Sequence, residues 1–88
     1  MNNTFSIGDV ADQTGITEKQ LRYWELRGYI QPEKMVSGKR YIRRYSSDQI
    51  RFIKGVKELL DKGFTLQASI KFTQEYIEER RKDNAKKQ

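Results

Sequence analysis

A chain of 88 residues makes one small domain, and folding at that size removes only about 60 to 65% of the unfolded surface from water, which disfavours a deep enzymatic cavity. With 35% hydrophobic residues, 34% charged residues, one Pro and eleven per cent aromatics, the sequence is too apolar for a disordered tail. The net charge is +6, and the absence of Cys and His removes disulfides, thiolate nucleophiles, the usual zinc ligands and the commonest acid-base side chain, so neither metal nor cofactor is expected.

The positive charge is unevenly placed. Residues 1 to 16 hold only Asp9 and Asp12, while residues 32 to 45 hold Lys34, Lys39, Arg40, Arg43 and Arg44 against Glu33. A concentrated cationic segment points to a polyanionic partner more strongly than net charge does. No run approaches the roughly 20 apolar residues of a membrane span, and Met1-Asn2-Asn3-Thr4 lacks the start of a signal peptide. The expected location is the cytoplasm, with no membrane partner.

In chain order, the first helix is expected from about Ile7 to Gln13, capped by Ser6 with Asp9 three residues on, and broken by Gly15. A second follows Thr17, which has capping-box spacing to Gln20, and ends at Gly28. The short Gly-containing link between them is the mark of a helix-turn-helix. Residues Lys34 to Tyr45, centred on Ser37-Gly38, read as a basic two-stranded hairpin, a wing. A third helix starts behind Ser46 or Ser47, carries Ile50, Ile53, Val56 and Leu60 at helical spacing, and stops at Gly63. A fourth starts behind Thr65, with Leu66, Ile70, Thr73 and Ile77 on one stripe and Ser69, Phe72 and Tyr76 beside it. The reading is a mainly α winged helix-turn-helix domain over residues 1–77, with four helices, a two-stranded wing and a charged tail over 78–88 that frays in solvent.

On a wheel of about 100° per residue, Leu21 and Trp24 of the second helix gather on one side and Lys19, Arg22 and Tyr23 on the other. Docked through its apolar face, such a helix offers Lys19 and Arg22 to phosphates or guanine edges in a major groove, and the Tyr23 hydroxyl to a phosphate. Thr17 and Glu18 lie at the end that enters the groove, where Glu18 can accept from a cytosine amine. Leu26 projects on the cationic side and has no assigned role. In the hairpin, Lys39, Tyr41, Arg43 and Tyr45 alternate with Arg40, Ile42 and Arg44, so one face can pack while the other meets phosphates or a minor groove; a merely solvated basic hairpin is the plainer alternative.

These residues resemble the DNA-binding domain of the MerR family of bacterial transcription regulators. The resemblance rests on Phe5-Ser6-Ile7-Gly8-Asp9-Val10-Ala11, Thr14-Gly15-Ile16-Thr17, Leu21-Arg22-Tyr23-Trp24-Glu25 with Gly28-Tyr29-Ile30, Arg43-Arg44-Tyr45-Ser46 with Asp48-Gln49-Ile50, and the turn Leu59 to Leu66. It implies a homodimer on a palindromic promoter element, bent or untwisted so that RNA polymerase engages, with Arg22 and Tyr23 touching DNA from the recognition helix and Arg43 from the wing. Trp24 stands where a second tyrosine is commoner and is expected in the core. Family members usually continue into a dimerisation helix and an effector domain, and metal-sensing members use cysteines; a piece of a longer regulator and a short member resembling the nitrogen-control repressors are both open. The candidate DNA-binding residues are Thr17, Glu18, Lys19, Arg22, Tyr23, Lys39, Arg40, Tyr41 and Arg43, with no catalytic residue or metal ligand. Two other readings stand beside this one: an architectural binder resembling the small excisionases, and a protein-interaction adaptor acting through the fourth helix. An enzyme has the least support, since the Glu78-Glu79 pair lies in the tail and no phosphate loop is present.

Overall fold

The computed structural model describes residues 3–86, and the side chains of residues 3–83. In chain order it contains strand β1 (Thr4–Phe5), helices α1 (Ile7–Thr14) and α2 (Glu18–Leu26), strands β2 (Glu33–Ser37) and β3 (Arg40–Ser46), and helices α3 (Ser47–Asp61) and α4 (Leu66–Lys86). The mainly α winged helix-turn-helix is present, with one addition. Thr4 and Phe5 pair with Ser46 and Tyr45, so the wing hairpin is the outer part of a three-stranded antiparallel sheet of order β1-β3-β2.

Helix starts follow from local chemistry. Ser6 with Asp9, Thr17 with Gln20 and Ser46 with Gln49 each form a reciprocal capping box, in which a hydroxyl accepts from the backbone three residues on and the longer side chain returns the bond. Each box satisfies amides that a helix leaves without partners. The α1–α2 turn needs a left-handed residue, which Gly15 supplies at φ +77. Thr14 then closes the turn from inside: its buried hydroxyl donates to the Val10 carbonyl at 2.7 Å and accepts from the Ile16 amide at 3.1 Å. At the end of α2, the Tyr29 amide donates to the Trp24 carbonyl and the Gly28 amide to that of Glu25, a Schellman closure that turns the chain toward the wing.

The core gathers one face from every helix. Val10 of α1, Leu21 and Trp24 of α2, Ile50, Ile53 and Val56 of α3 and Ile70 of α4 form one buried cluster with Tyr45 of β3. Burying side chains of this size contributes about 1.5–3 kcal/mol each. In α4 the buried stripe is Ser69, Ile70 and Thr73, flanked by Leu66 and Ile77, whereas Phe72 and Tyr76 are exposed. Phe72 meets the Phe64 ring edge-on at a centroid distance of 5.8 Å. The helix runs through the charged tail to Lys86, and Glu78 to Lys82 at the start of that stretch are strong helix formers.

Helices α3 and α4 approach closely where Gly55 faces Thr73: a Cβ at Gly55 lies 2.8 Å from Thr73 Cγ2, and Thr73 is itself buried. Alanine in a helix is ordinarily favoured over glycine by about 1 kcal/mol. Overpacking here costs about 1–3 kcal/mol and outweighs that gain. Gly55→Ala therefore lowers the thermal midpoint by several degrees, and adding Thr73→Ser, which removes the opposing methyl, restores it; a Gly55→Ala protein more stable than wild type contradicts this packing.

Candidate nucleic-acid interface

Helix α2 is fixed from within. Leu21 is fully buried and Trp24 is 2% exposed, which holds the opposite face in solvent. Lys19, Arg22 and Tyr23 are all exposed on that face. Leu26 lies out with them at 82% exposure, as its place on the wheel implies. At the N-terminal end, the Thr17 hydroxyl accepts from the Gln20 amide and donates to Gln20 Oε1, so its proton is already engaged by the cap. Glu18 stands one position on and accepts from Arg22 Nη2 at 3.4 Å, a loose pair with both side chains about half exposed. Such surface pairs are weak, and a stronger anion can displace the carboxylate from Arg22.

The wing reverses at Gly38-Lys39, where Gly38 at φ +65 gives the two-residue turn that suits a twisted hairpin. Strand alternation divides its side chains. Tyr45, Arg43 and Tyr41 share one face with their cross-strand partners Lys34 and Val36, and Arg44, Ile42 and Arg40 share the other with Glu33, Met35 and Ser37. Lys39, Arg40 and Tyr41 are exposed around the turn. Tyr45 goes into the core, where burial, followed by the charge of Glu25, pushes its hydroxyl pKa up.

Two of the cationic segment's arginines hold the wing in place. Arg44 donates from Nε to Thr4 Oγ1 at 2.9 Å and from Nη2 to the Thr4 carbonyl at 2.8 Å, which ties the wing's base to β1. Arg43 donates from Nε to Glu25 Oε1 at 2.6 Å and from Nη2 to Oε2 at 3.1 Å, a bidentate pair between β3 and α2. Lys34 Nζ stands 3.8 Å from the same carboxylate. The wing is thus set beside α2, and Arg43 has an intramolecular partner that no local sequence pattern announces. Glu25 and Lys34 were not singled out as site residues. The available signal was that Glu25 is the single acid between Lys19 and Pro32 in a strongly basic stretch. Among the described residues no group of His, Cys, Asp or Glu is placed to hold a metal ion, and no helix is long and apolar enough to cross a membrane.

The Arg43 hydrogen bond lowers the Glu25 pKa below its ordinary 4.5, with partial burial opposing and the charges of Arg43, Lys34 and Arg22 assisting. A carboxylate with a depressed folded-state pKa stabilises the fold above its unfolded pKa and loses that contribution as pH falls through the folded value. Glu25→Gln accordingly lowers unfolding free energy by about 1 kcal/mol at pH 7. The gap between the two proteins in urea melts closes as pH falls below the ordinary carboxylate range; a gap that stays constant down to acid pH contradicts the pair.

The sequence matches the MerR HTH family regulatory protein profile over residues 5–76. It is 40% identical over 63 residues to the mercuric resistance operon regulatory protein of Bacillus cereus, covering 70% of this chain and 46% of that one. It is 34% identical over 82 residues to the HTH-type transcriptional regulator AdhR of Bacillus subtilis (strain 168), covering 93% of this chain and 57% of that one. The chain therefore spans about half the length of these curated relatives. Its fold is similar to a MerR family transcriptional regulator from Bacillus cereus, at a TM-score of 0.66 and 18% identity over 96% of this chain and 74% of the other. It is similar also to HiNmlR, a MerR family regulator lacking the sensor domain, bound to promoter DNA, at a TM-score of 0.64 and 20% identity over 85% of this chain and 55% of that chain. At such identities the structural likeness is one of fold, while the family match covers most of the sequence: the chain belongs to the MerR family of helix-turn-helix regulatory proteins.

Proposed function

We propose that this chain binds double-stranded DNA sequence-specifically, as the operator-reading part of a transcription regulator. The observation that carries the reading is the outward face of α2, with Lys19, Arg22 and Tyr23 in solvent opposite buried Leu21 and Trp24 and with the wing tied alongside through Glu25 and Arg43. An α-helix with its side chains is about 10–12 Å across, a fit to a major groove about 12 Å wide. Arg22 suits the paired acceptors of guanine once Glu18 yields it, Lys19 a phosphate or guanine, and Tyr23 a phosphate. Glu18 accepts from a cytosine amine, and Thr17, its proton held by Gln20, offers an acceptor only. From the wing, Lys39, Arg40 and Tyr41 reach the backbone or the adjacent minor groove, with Arg43 closer to the helix.

One copy presents one recognition helix, so a homodimer on a palindromic operator is the natural assembly. Promoter distortion that assists RNA polymerase and residence in the cytoplasm on the nucleoid follow the same reading. The protein acts by binding rather than by catalysis. The names of its relatives, an operon regulatory protein and a regulator bound to promoter DNA, support this direction. A second reading, an architectural binder that bends DNA with modest specificity, draws on the exposed apolar side chains of the wing, Met35, Val36 and Ile42.

Selection of bound duplexes from a random library separates the two, because an operator-reading protein enriches a two-fold element and an architectural one does not. On the enriched duplex, Arg22→Ala weakens binding by about 1–3 kcal/mol, and Lys39→Ala or Arg40→Ala each reduce the slope of log affinity against log salt by about one unit. Equal affinity of wild type and Arg22→Ala contradicts the proposed role of α2.

A further inference from the structure

Glu25 places a carboxylate beside the surface proposed to face a polyanion, where its charge alone opposes binding. Its geometry gives a reason for its presence. The side chain is only 16% exposed, and both oxygens are engaged by the wing. Lys34 and Arg43 are cross-strand partners, so one carboxylate on α2 meets both strands of the hairpin at the same register. The fork fixes the plane of the guanidinium, since a carboxylate and an arginine meet through two parallel bonds. Of the five N–H donors of Arg43, Nε–H and one Nη2–H face Glu25, and the remaining three are uncommitted to it. The arginine side chain keeps 31% exposure, enough for those donors to meet an oxygen from outside.

Resting on the DNA-binding reading above, we infer that Glu25 is a positioning residue for sequence recognition: it fixes the wing against α2 and turns the outer edge of Arg43 toward a backbone phosphate. Cations on the helix and on the wing are then held at one spacing. A duplex of the right sequence and shape meets both sets at once. A non-specific duplex, held by diffuse phosphate attraction, has no need of the fixed spacing. Loss of Glu25 accordingly has opposite effects on the two kinds of DNA. It removes a repulsive charge, which favours every duplex, and it frees the wing, which penalises only the recognised one.

The test compares the duplex enriched from a random library with a scrambled duplex of equal length, by fluorescence anisotropy at one fixed salt concentration. Glu25→Gln loses about tenfold in affinity for the enriched duplex and holds or gains up to about threefold on the scrambled one. Glu25→Asp keeps the charge but shortens the reach by one methylene, and it loses affinity for the enriched duplex as well. If Glu25→Gln tightens both duplexes equally while Glu25→Asp matches wild type, Glu25 is only a charge and the inference is wrong. Arg22→Ala and the selection itself serve as separate controls: if no duplex is enriched, the DNA-binding reading has failed, and if Arg22→Ala leaves the enriched duplex unaffected, the role of α2 has failed, in either case rather than the role of Glu25. Should Glu25→Gln fail to fold, the double variant Glu25→Gln with Arg43→Gln removes both charges and leaves no unpaired ion. It loses affinity for both duplexes, through the missing phosphate contact, and loses more for the enriched one; wild-type affinity for the enriched duplex in a folded double variant overturns the inference.

Discussion

Burial of Leu21 and Trp24 is the constraint on which the rest of the molecule depends, because a helix pinned by two side chains three residues apart has no freedom to rotate. With that side inside, Lys19, Arg22 and Tyr23 are carried into solvent by helical geometry alone. Glu25 lies about 40° from Leu21 on the wheel, at the seam between interior and surface. A carboxylate at that seam is partly shielded, so its pair with Arg43 is stronger than an ion pair in open water. The anchoring of the helix therefore also decides where the wing docks.

The charge pattern takes a different meaning once the structure is known. Five cations in the central segment look like one electrostatic patch, but they divide by role. Arg44 fastens the wing's base to β1, and Arg43 with Lys34 fastens its middle to α2. Lys39 and Arg40 at the turn remain exposed. Structural arginines close to the body and exposed cations at the tip make an arm tethered at its base and charged at its end, the form that the proposed binding of DNA requires.

The parts of this fold that were legible in the sequence are those coded over three or four residues. Ser6 with Asp9 and Thr17 with Gln20 announce helix starts because the capping partners are neighbours in the chain, and Gly15 and Gly28 announce the stops. The inward placement of Leu21 and Trp24 was legible for the same reason. Thr4–Phe5 was not, because a two-residue strand carries no periodicity and exists only through its pairing with Ser46 and Tyr45. Strand alternation separated Tyr45 from Arg44 but could not say which face is interior. The Glu25–Arg43 pair spans eighteen positions and depends on a docking angle that no local pattern encodes. The tail shows a competition between two rules: its charged composition suggests a solvated end, yet its Glu, Arg and Lys residues are good helix formers and the helix continues to Lys86.

The central claim is that one side of α2 is the working surface. Amide chemical-shift mapping of the isotope-labelled chain, titrated in low salt with the duplex enriched from a random library, addresses it most directly. The largest shifts are expected on residues 18–23 and on the wing around Lys39 to Arg43, with the amides of α4 near Phe72 and Tyr76 little changed. Shifts centred on that exposed aromatic side of α4, with α2 unmoved, contradict it.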